Sequence, residues 1–299
     1  MQFRAILNRD GGTLRTLDLD NFSNQARQIF SEAGHDLDCH IVSGKDVDRE
    51  LSLAAEDQAV DVILAAGGDG TISTAARAAF RCGKPLAILP AGTMNLFARA
   101  MGMPMDLPGA LRAIAQGEIR QIDIATANGT PFVHQFSVGI HARLVRIRDG
   151  MVYRSRLGKM IASLRSIAAA AVNPPKFEVE LHGPSVDMTR VVSGIAISNN
   201  PLNNQPVPVA ARLDSGLLGV YLAESVTTNE LINLVLDVVT GRWRANPRVI
   251  EVEVADLTLR FPKRKRGTFA VIDGELIALE REVRFEIKPG ALQVIVPKT

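Results

Sequence analysis

The chain has 299 residues, of which 46% are hydrophobic and 22% are charged. This composition is typical of a globular protein and excludes a disordered or fibrous chain. The net charge of +2 at pH 7 is too small to favour nucleic acid as a partner. The two cysteines have no Cys or His cluster near them, which argues against a disulfide framework or a zinc site. Because no apolar run reaches the about 18 residues that a membrane span needs, we expect a cytoplasmic protein.

Residues 1–122 alternate short apolar strands with amphipathic helices, the pattern of a parallel α/β sheet. Strands are predicted at 3–7, 37–42, 61–66 and 85–90. A helix is expected after each of them, and the helix after the fourth is predicted to run from about Thr93 to Gly102. The first part of the chain is therefore predicted to be a doubly wound α/β domain.

Residues 123–299 change to many strands with few helices, which predicts an antiparallel β-sandwich. Asn128-Gly129 between two strand-like runs is a strong hairpin signal. One helix is expected at 157–172, and another begins at the capping box Thr227-Thr-Asn-Glu230. The last strand of this part is a candidate to return to the first domain.

The third predicted strand runs into Gly67-Gly-Asp-Gly70 and then into a helix at Thr71. Glycines let backbone N–H groups approach an anion closely, and a helix N-terminus adds partial positive charge. The local pattern therefore predicts a phosphate-binding loop. A tight turn capped by the Asp or Thr side chain is the alternative.

A second loop of this kind, Ala91–Asn95, follows the fourth predicted strand. The carboxyl ends of parallel strands meet at one edge of a sheet, so the two loops are expected to lie side by side and to bind a nucleoside triphosphate. Because Asp69 would repel a phosphate, we expect it to face a Mg²⁺ ion or a reacting hydroxyl.

The segment GGDGT followed by LPAGTMNLFAR resembles the diacylglycerol kinase catalytic-domain family, which includes bacterial soluble lipid kinases and is related to sphingosine and ceramide kinases. GGDGT alone is also found in NAD kinases and phosphofructokinases. The resemblance implies an α/β domain with a parallel sheet like that of NAD kinase and phosphofructokinase, followed by an antiparallel β-sandwich. It also implies an ATP- and Mg²⁺-dependent kinase of a diacylglycerol-like lipid, with roles in phospholipid biosynthesis.

The resemblance also implies site residues. The nucleotide-binding set would be Asn8, Gly67, Gly68, Asp69, Gly70, Thr71, Gly92, Thr93 and Asn95. In VIDGELI, Asp273 would be the catalytic base, and Glu275 would support it or hold Mg²⁺; read locally, Asp273-Gly274 indicates a hairpin turn. Metal ligands would be Asp69, Asp214 and Glu275. Ser215 stands where the family has a second aspartate, which weakens a Mg²⁺ site there and leaves a simple turn as the alternative.

The implied partner is a lipid acceptor at a membrane surface, reached by transient peripheral contact, and a homodimer is left open. Candidate contact segments are the helix at 157–172, the basic run at 261–267 and Gly241-Arg-Trp-Arg244. Two other functions are left open: an NAD kinase sharing the GGDGT loop, and a catalytically weak lipid-binding regulatory protein.

Overall fold

The computed structural model describes residues 1–149 and 174–298, so the helix predicted at 157–172 lies outside the described residues. The chain divides into two compact units. The first contains Met1–Ile124, Pro131–Val133 and Lys288–Thr299, and the second contains Ala125–Thr130 and His134–Ile287. This division places the C-terminal segment with the first unit rather than within a continuous 123–299 domain, because Val294 in that segment pairs in parallel with Leu86.

The first unit alternates strands and helices in the predicted order. Its strands and helices are β1 (Gln2–Asn8), α1 (Leu19–Glu32), β2 (Asp36–Val42), α2 (Val47–Glu56), β3 (Val62–Gly67), α3 (Asp69–Cys82), β4 (Leu86–Pro90), α4 (Leu96–Ala100) and α5 (Leu107–Ala115). The strand β5 (Glu118–Ala127) begins in this unit, and the last strand, β15 (Glu282–Val296), ends in it.

The sheet of the first unit has the order β2-β1-β3-β4-β15, and all of these neighbours pair in parallel. Every residue of β3 is buried, which explains why its sequence is a continuous apolar run rather than an alternating one. The carboxyl ends of β1 to β4 therefore lie along one edge of the sheet, and the loops that leave them are neighbours.

The helix α4 begins at Leu96, three residues later than predicted. Asn95 has a left-handed backbone (φ 51°), and its side-chain Oδ1 accepts a hydrogen bond from the Gly92 N–H at 2.8 Å. This turn ends the loop before the helix can start. Periodicity alone could not reveal it, since the bond depends on one side chain folding back on the main chain.

The second unit is rich in strands. After β5 they are β6 (Thr130–Phe132), β7 (Gln135–Gly139), β8 (Phe177–Gly183), β9 (Val186–Asn199), β10 (Leu218–Glu224), β11 (Val249–Val254), β12 (Asp256–Arg260), β13 (Phe269–Ile272) and β14 (Glu275–Ala278), of which β6 is shared with the first unit. Within residues 134–149 and 174–287 its helices are α6 (Ile140–Asp149), which was not predicted from the sequence, and α7 (Thr228–Val239).

The second unit is an antiparallel β-sandwich in which β9 is the central strand. The first half of β9 pairs with β8, and its second half pairs with β7 and β10. Phe136 and Phe285 pack edge to face in the core, with ring centroids 4.9 Å apart. The predicted hairpin at Asn128-Gly129 is confirmed, because both residues have positive φ and they join β5 to β6.

The predicted capping box at the start of α7 is confirmed. The Thr227 hydroxyl accepts from the Glu230 N–H, and the Glu230 carboxylate accepts from the Thr227 N–H. The Thr227 hydroxyl also donates to the Glu230 carboxylate. The Thr227 N–H and hydroxyl, together with the Arg248 guanidinium, lower the pKa of Glu230 to about 2. Because a lowered pKa favours the ionised form in the folded state, this contribution to stability is present above the usual Glu pKa of about 4.3 and is lost as the pH falls toward 2.

Trp243 is buried, which corrects the expectation that it anchors a membrane contact. Its ring packs edge to face on Tyr221 at 5.2 Å, and the two rings form a small core with Leu202. The neighbouring Arg244 pairs with the Glu251 carboxylate at 2.7 Å. The segment therefore stabilises the sandwich. In the described part of the chain, none of the helices combines the length and the apolar character needed to cross a bilayer.

Candidate nucleotide-binding loops and candidate catalytic hairpin

The loops at the carboxyl ends of β1, β3 and β4 are joined by main-chain hydrogen bonds. The Ala91 N–H after β4 donates to the Gly67 carbonyl at the end of β3 (3.0 Å), and the Thr13 N–H after β1 donates to the Ala91 carbonyl (2.8 Å). These bonds follow from the parallel order of the three strands. They place both predicted glycine loops, and the first loop of the chain, next to one another.

Asn8 and Thr71, two of the predicted nucleotide-binding residues, lie together. The Asn8 Nδ2 donates to the Thr71 Oγ1 at 2.9 Å, and the Asn8 Oδ1 accepts from the Asp10 N–H at 3.1 Å. The segment NRDGG therefore forms part of the loop cluster even though it lacks the proline usual in the resembled family.

Close packing explains two of the glycines, against the main chain at Gly92 and against the Thr71 side chain at Gly67. A Cβ atom at Gly92 would lie 2.5 Å from the Cα of Gly68, and a Cβ at Gly67 would lie 2.6 Å from the Thr71 Oγ1. Gly68 occupies the N-cap position of α3, where it has no side chain to cover the first-turn N–H groups. An uncovered first turn beside two closely packed loops is a favourable setting for an anion.

The carboxylate of Asp69 connects the two glycine loops. Its Oδ1 accepts a hydrogen bond from the Leu96 N–H at 2.7 Å, and its Oδ2 accepts from the Asn95 N–H at 3.1 Å. Asp69 therefore caps α4 from the neighbouring loop. The sequence analysis expected it to face a metal ion or a hydroxyl and did not foresee this contact, because the partners are main-chain groups 26 and 27 residues away.

Replacing Asp69 by Ala is expected to lower the free energy of unfolding of the chain by about 1–3 kcal/mol, since two N–H groups in a partly buried loop lose their acceptor. Urea denaturation measures the loss, and hydrogen exchange should show faster exchange at the Asn95 and Leu96 amides. Asp106→Ala is the matched control. It removes a carboxylate that caps α5 by accepting the Gly109 N–H at 2.7 Å, and should cost about 1 kcal/mol without changing exchange at residues 95 and 96. Unchanged exchange in the Asp69 variant would contradict this role.

Gly70 and Thr93, the other two predicted nucleotide-binding residues, are exposed. Gly70 lies in the first turn of α3, and Thr93 lies in the loop after β4. The structure thus brings all nine predicted nucleotide-binding residues into the first unit, on loops that leave the same edge of its sheet.

Asp273 occupies a two-residue turn between β13 and β14. Asp273 and Gly274 both have positive φ (47° and 88°), and Ile272 pairs with Glu275 across the hairpin. The local interpretation of Asp-Gly as a hairpin turn is therefore correct. A hairpin turn is compatible with a chemical role for Asp273, because the turn fixes the position of the Asp273 carboxylate.

The Asp273 side chain is buried, with 8% of its surface exposed, and its orientation is fixed by main-chain donors. Its Oδ1 accepts from the N–H groups of His134 (2.9 Å) and Gln135 (3.0 Å), and its own N–H donates to the Gln135 carbonyl (2.9 Å). Glu275, two residues later, is exposed. The hairpin thus carries two carboxylates: that of Asp273 is oriented by main-chain hydrogen bonds, and that of Glu275 is exposed.

The groups that surround the Asp214 carboxylate do not fit a Mg²⁺ site. The Asp214 Oδ1 accepts from the Arg212 Nε at 3.1 Å, and the Ser215 hydroxyl donates to the Asn200 Oδ1 at 2.6 Å. A cation beside the only carboxylate of the turn opposes binding of a second cation. Among the residues that the structure describes, no group of three or more His, Cys, Asp or Glu side chains could hold a metal ion.

Two groups of polar residues were missed by the sequence analysis. Asp123 in β5 is 2% exposed, and its Oδ1 accepts from the Gly290 N–H at 3.0 Å. Ser137 in β7 is fully buried, and its Oγ lies 2.6 Å from the Nδ1 of His141. A charged residue inside an apolar strand could have drawn attention to Asp123. Nothing in the pattern distinguishes Ser137 from a serine that binds the main chain.

The chain matches two family descriptions that together span most of its length. Residues 2–127 match "Diacylglycerol kinase catalytic domain", and residues 134–296 match "YegS C-terminal NAD kinase beta sandwich-like domain". The boundary between the matched ranges is close to the division between the two units.

Two curated proteins are similar to this chain. A diacylglycerol kinase of Bacillus subtilis is 22% identical over 87% of this chain and 88% of its own length. An uncharacterized protein of Synechocystis is 30% identical over 83% of this chain, but the match spans only 58% of that protein.

A solved structure of a diacylglycerol kinase from Bacillus anthracis has the same fold, with a TM-score of 0.72 over 99% of this chain and 96% of its own, at 18% identity. At that identity the likeness concerns the fold alone. The two matched family descriptions carry the assignment: the chain belongs to the diacylglycerol kinase catalytic-domain family.

Proposed function

We propose that the protein is an ATP-dependent lipid kinase that transfers the γ-phosphate of ATP to a hydroxyl of a diacylglycerol-like lipid. The observation that carries this proposal is the link made by Asp69 between the two glycine loops. It holds the loops together at the carboxyl edge of a parallel sheet, beside an uncovered helix N-terminus, which is where α/β proteins bind phosphates. Membership of the kinase family supports ATP as the co-substrate.

In the proposal the loops of the first unit bind the triphosphate. Main-chain N–H groups of Gly68, Gly70 and Thr71 would donate to phosphate oxygens, and that of Thr93 would do so from the second loop. The Gly92 N–H is bonded to the Asn95 Oδ1, so Gly92 would contribute by allowing the close approach of the two loops. Asn8 would act through Thr71, to whose hydroxyl it donates. Asn95 would shape the second loop by its two bonds to Gly92.

Asp273 would be the group that accepts the proton from the lipid hydroxyl. The hydroxyl oxygen forms a bond to the γ-phosphorus while the bond from that phosphorus to the bridging oxygen of ADP breaks, and the hydroxyl proton passes to the Asp273 carboxylate. The bonds from His134 and Gln135 to Oδ1 fix the plane of this carboxylate, so little reorientation is needed during transfer. Glu275 would support Asp273 in this role.

Mg²⁺ would enter with ATP, because Mg²⁺ in kinases is held by one or two carboxylates together with phosphate oxygens. When bound, it supplies neutralisation of the phosphate charge. Asp69 is the carboxylate of the first unit that is proposed to hold it, and the exposed Glu275 is the candidate in the second unit. The Asp69 oxygens each accept one N–H, which leaves acceptor capacity on both, since an ionised carboxylate has about four lone-pair sites.

The acceptor lipid places the reaction at a membrane surface, so the proposal includes transient peripheral contact. In the basic run at 261–267, Lys263, Lys265 and Arg266 are exposed, and Lys263 pairs with Glu178 at 2.8 Å. Anionic lipid would attract such cations by about 1 kcal/mol each.

One assay tests the function and its two alternatives. The purified chain is incubated with labelled ATP and Mg²⁺, with either mixed micelles of diacylglycerol or NAD as the acceptor. Label is expected on the lipid and not on NAD. Label on NAD alone would replace the proposal by an NAD kinase, and lipid binding without transfer to either acceptor would replace it by a regulatory protein.

A further inference from the structure

Gln135, Ser137 and His141 form a side-chain cluster next to Asp273 in the second unit. Residues 135 and 137 point to the same side of β7, because side chains alternate along a strand. His141 follows in the first turn of α6. Its Nδ1 lies 2.6 Å from the Ser137 Oγ and 3.3 Å from the Gln135 Nε2. One ring nitrogen of the histidine therefore contacts both side chains.

The amide Nε2 of Gln135 can only donate, so the His141 Nδ1 is the acceptor whenever these two atoms bond. The Ser137 hydroxyl, which can donate or accept, lies at hydrogen-bond distance from the same nitrogen. The arrangement in which both side chains donate to Nδ1 places the ring proton on Nε2. In this form the His141 Nδ1 accepts a hydrogen bond from the Gln135 side chain and holds that side chain in place.

Gln135 is one of the two residues that hold Asp273, the other being His134. The Gln135 N–H donates to the Asp273 Oδ1, and the Gln135 carbonyl accepts from the Asp273 N–H. Ser137 lies on the same strand, where it pairs with Val271, two residues before Asp273. The main chain of Gln135 thus binds the carboxylate while its side chain is held by His141.

Two other buried serines of this unit have hydrogen-bond partners of a different kind from that of Ser137. The Ser193 Oγ accepts from the Val226 N–H at 3.1 Å, and the Ser198 Oγ donates to the Asn200 carbonyl. Both hydroxyls form these hydrogen bonds with main-chain groups. Ser137 is instead paired with an imidazole that also binds the neighbour of Asp273.

We propose that His141 is a positioning residue for Asp273: its Nδ1 holds the Gln135 side chain, and the Gln135 main chain holds the carboxylate. The proposal rests on the function proposed above, in which Asp273 accepts the proton. It predicts that loss of the Nδ1 acceptor lets Gln135 move, which widens the range of Asp273 orientations. The chemical step then slows, whereas ATP binding in the first unit is unaffected.

Three substitutions of His141 test which ring nitrogen matters. His141→Asn places an amide oxygen near the position of Nδ1, His141→Gln places its terminal amide near the position of Nε2, and His141→Ala removes both. We expect kcat to fall about tenfold in the Ala and Gln variants with KM for ATP unchanged, since misplacement of a reacting group by about 1 Å can cost up to 10²-fold. The Asn variant should recover most of kcat.

Two results would overturn the proposal: wild-type kcat in all three variants, or recovery by Gln rather than Asn. His182→Ala is the matched control. His182 also pairs through Nδ1, with Asp187 at 2.8 Å, but on an exposed strand pair, so its loss should leave kcat unchanged.

A measurement without turnover separates this proposal from the proposed function. The amide NMR shift of Gln135 and the carboxyl shift of Asp273 are compared in wild type, His141→Ala and His141→Asn. Both signals should move in the Ala variant and return in the Asn variant, even if the wild type transfers no phosphate to lipid. Signals that stay fixed in the Ala variant would refute the link between His141 and Asp273, whatever the activity.

Discussion

Asp273→Asn is expected to lower kcat for phosphoryl transfer by about 10²–10⁴-fold, the range that general-base catalysis contributes. An amide has no basic oxygen that could take the hydroxyl proton. It still offers an oxygen at the position of Oδ1, where the His134 and Gln135 N–H groups donate. The substitution therefore removes the base while the hairpin that carries it keeps its bonds.

Two further measurements make this prediction specific. The thermal midpoint and the ATP dissociation constant of Asp273→Asn should both stay close to the wild-type values, because the nucleotide loops belong to the other unit. Glu275→Gln is the comparison within the same hairpin. Its side chain is exposed, and we expect a smaller loss of kcat. Wild-type turnover in Asp273→Asn would show that another group accepts the proton.

Gly92→Ala is expected to weaken ATP binding by at least about tenfold, equivalent to about 1.4 kcal/mol, and to lower the free energy of unfolding by about 1–3 kcal/mol. The new Cβ would lie 2.5 Å from the Gly68 Cα and 2.8 Å from the Asn95 Oδ1. Both neighbours are fixed, one as main chain and the other by its bonds to residue 92 itself. The two loops must therefore separate.

ATP titration and urea denaturation measure the two effects of Gly92→Ala. Gly70→Ala is the control for stability, since a Cβ there meets no atom within 4 Å and the position lies in the first turn of α3. Alanine at this position should leave the free energy of unfolding unchanged or raise it by up to about 1 kcal/mol. Equal loss of stability in both variants would show that close approach of the loops is not the reason why position 92 requires glycine.

The α/β unit was predictable because its main signal is local. Buried parallel strands are short apolar runs, the helices between them have one apolar face, and the chain order of the elements fixes the edge where the loops meet. The loop–helix boundary at Asn95 was not predictable in this way. It depends on a left-handed residue and on a side chain that returns to Gly92, and neither changes the apolar period.

The candidate catalytic hairpin was only half predictable. Asp-Gly between strand-like runs predicts the turn, but the two bonds that orient Asp273 come from residues 138 and 139 positions earlier in the chain. Such contacts are set by strand order in the sandwich, which no local pattern encodes. The same limit applies to Trp243, whose neighbouring arginines suggested an exposed site although its ring lies in a core with Tyr221.

The contacts of Asp69 have a consequence for how this site tolerates sequence change. The carboxylate binds the main chain of residues 95 and 96, so the link to position 96 does not depend on which side chain stands there. Proline is the exception at either position, because it has no N–H to donate. Variation at Leu96 can therefore reshape the surroundings of the second glycine loop while the connection between the loops persists.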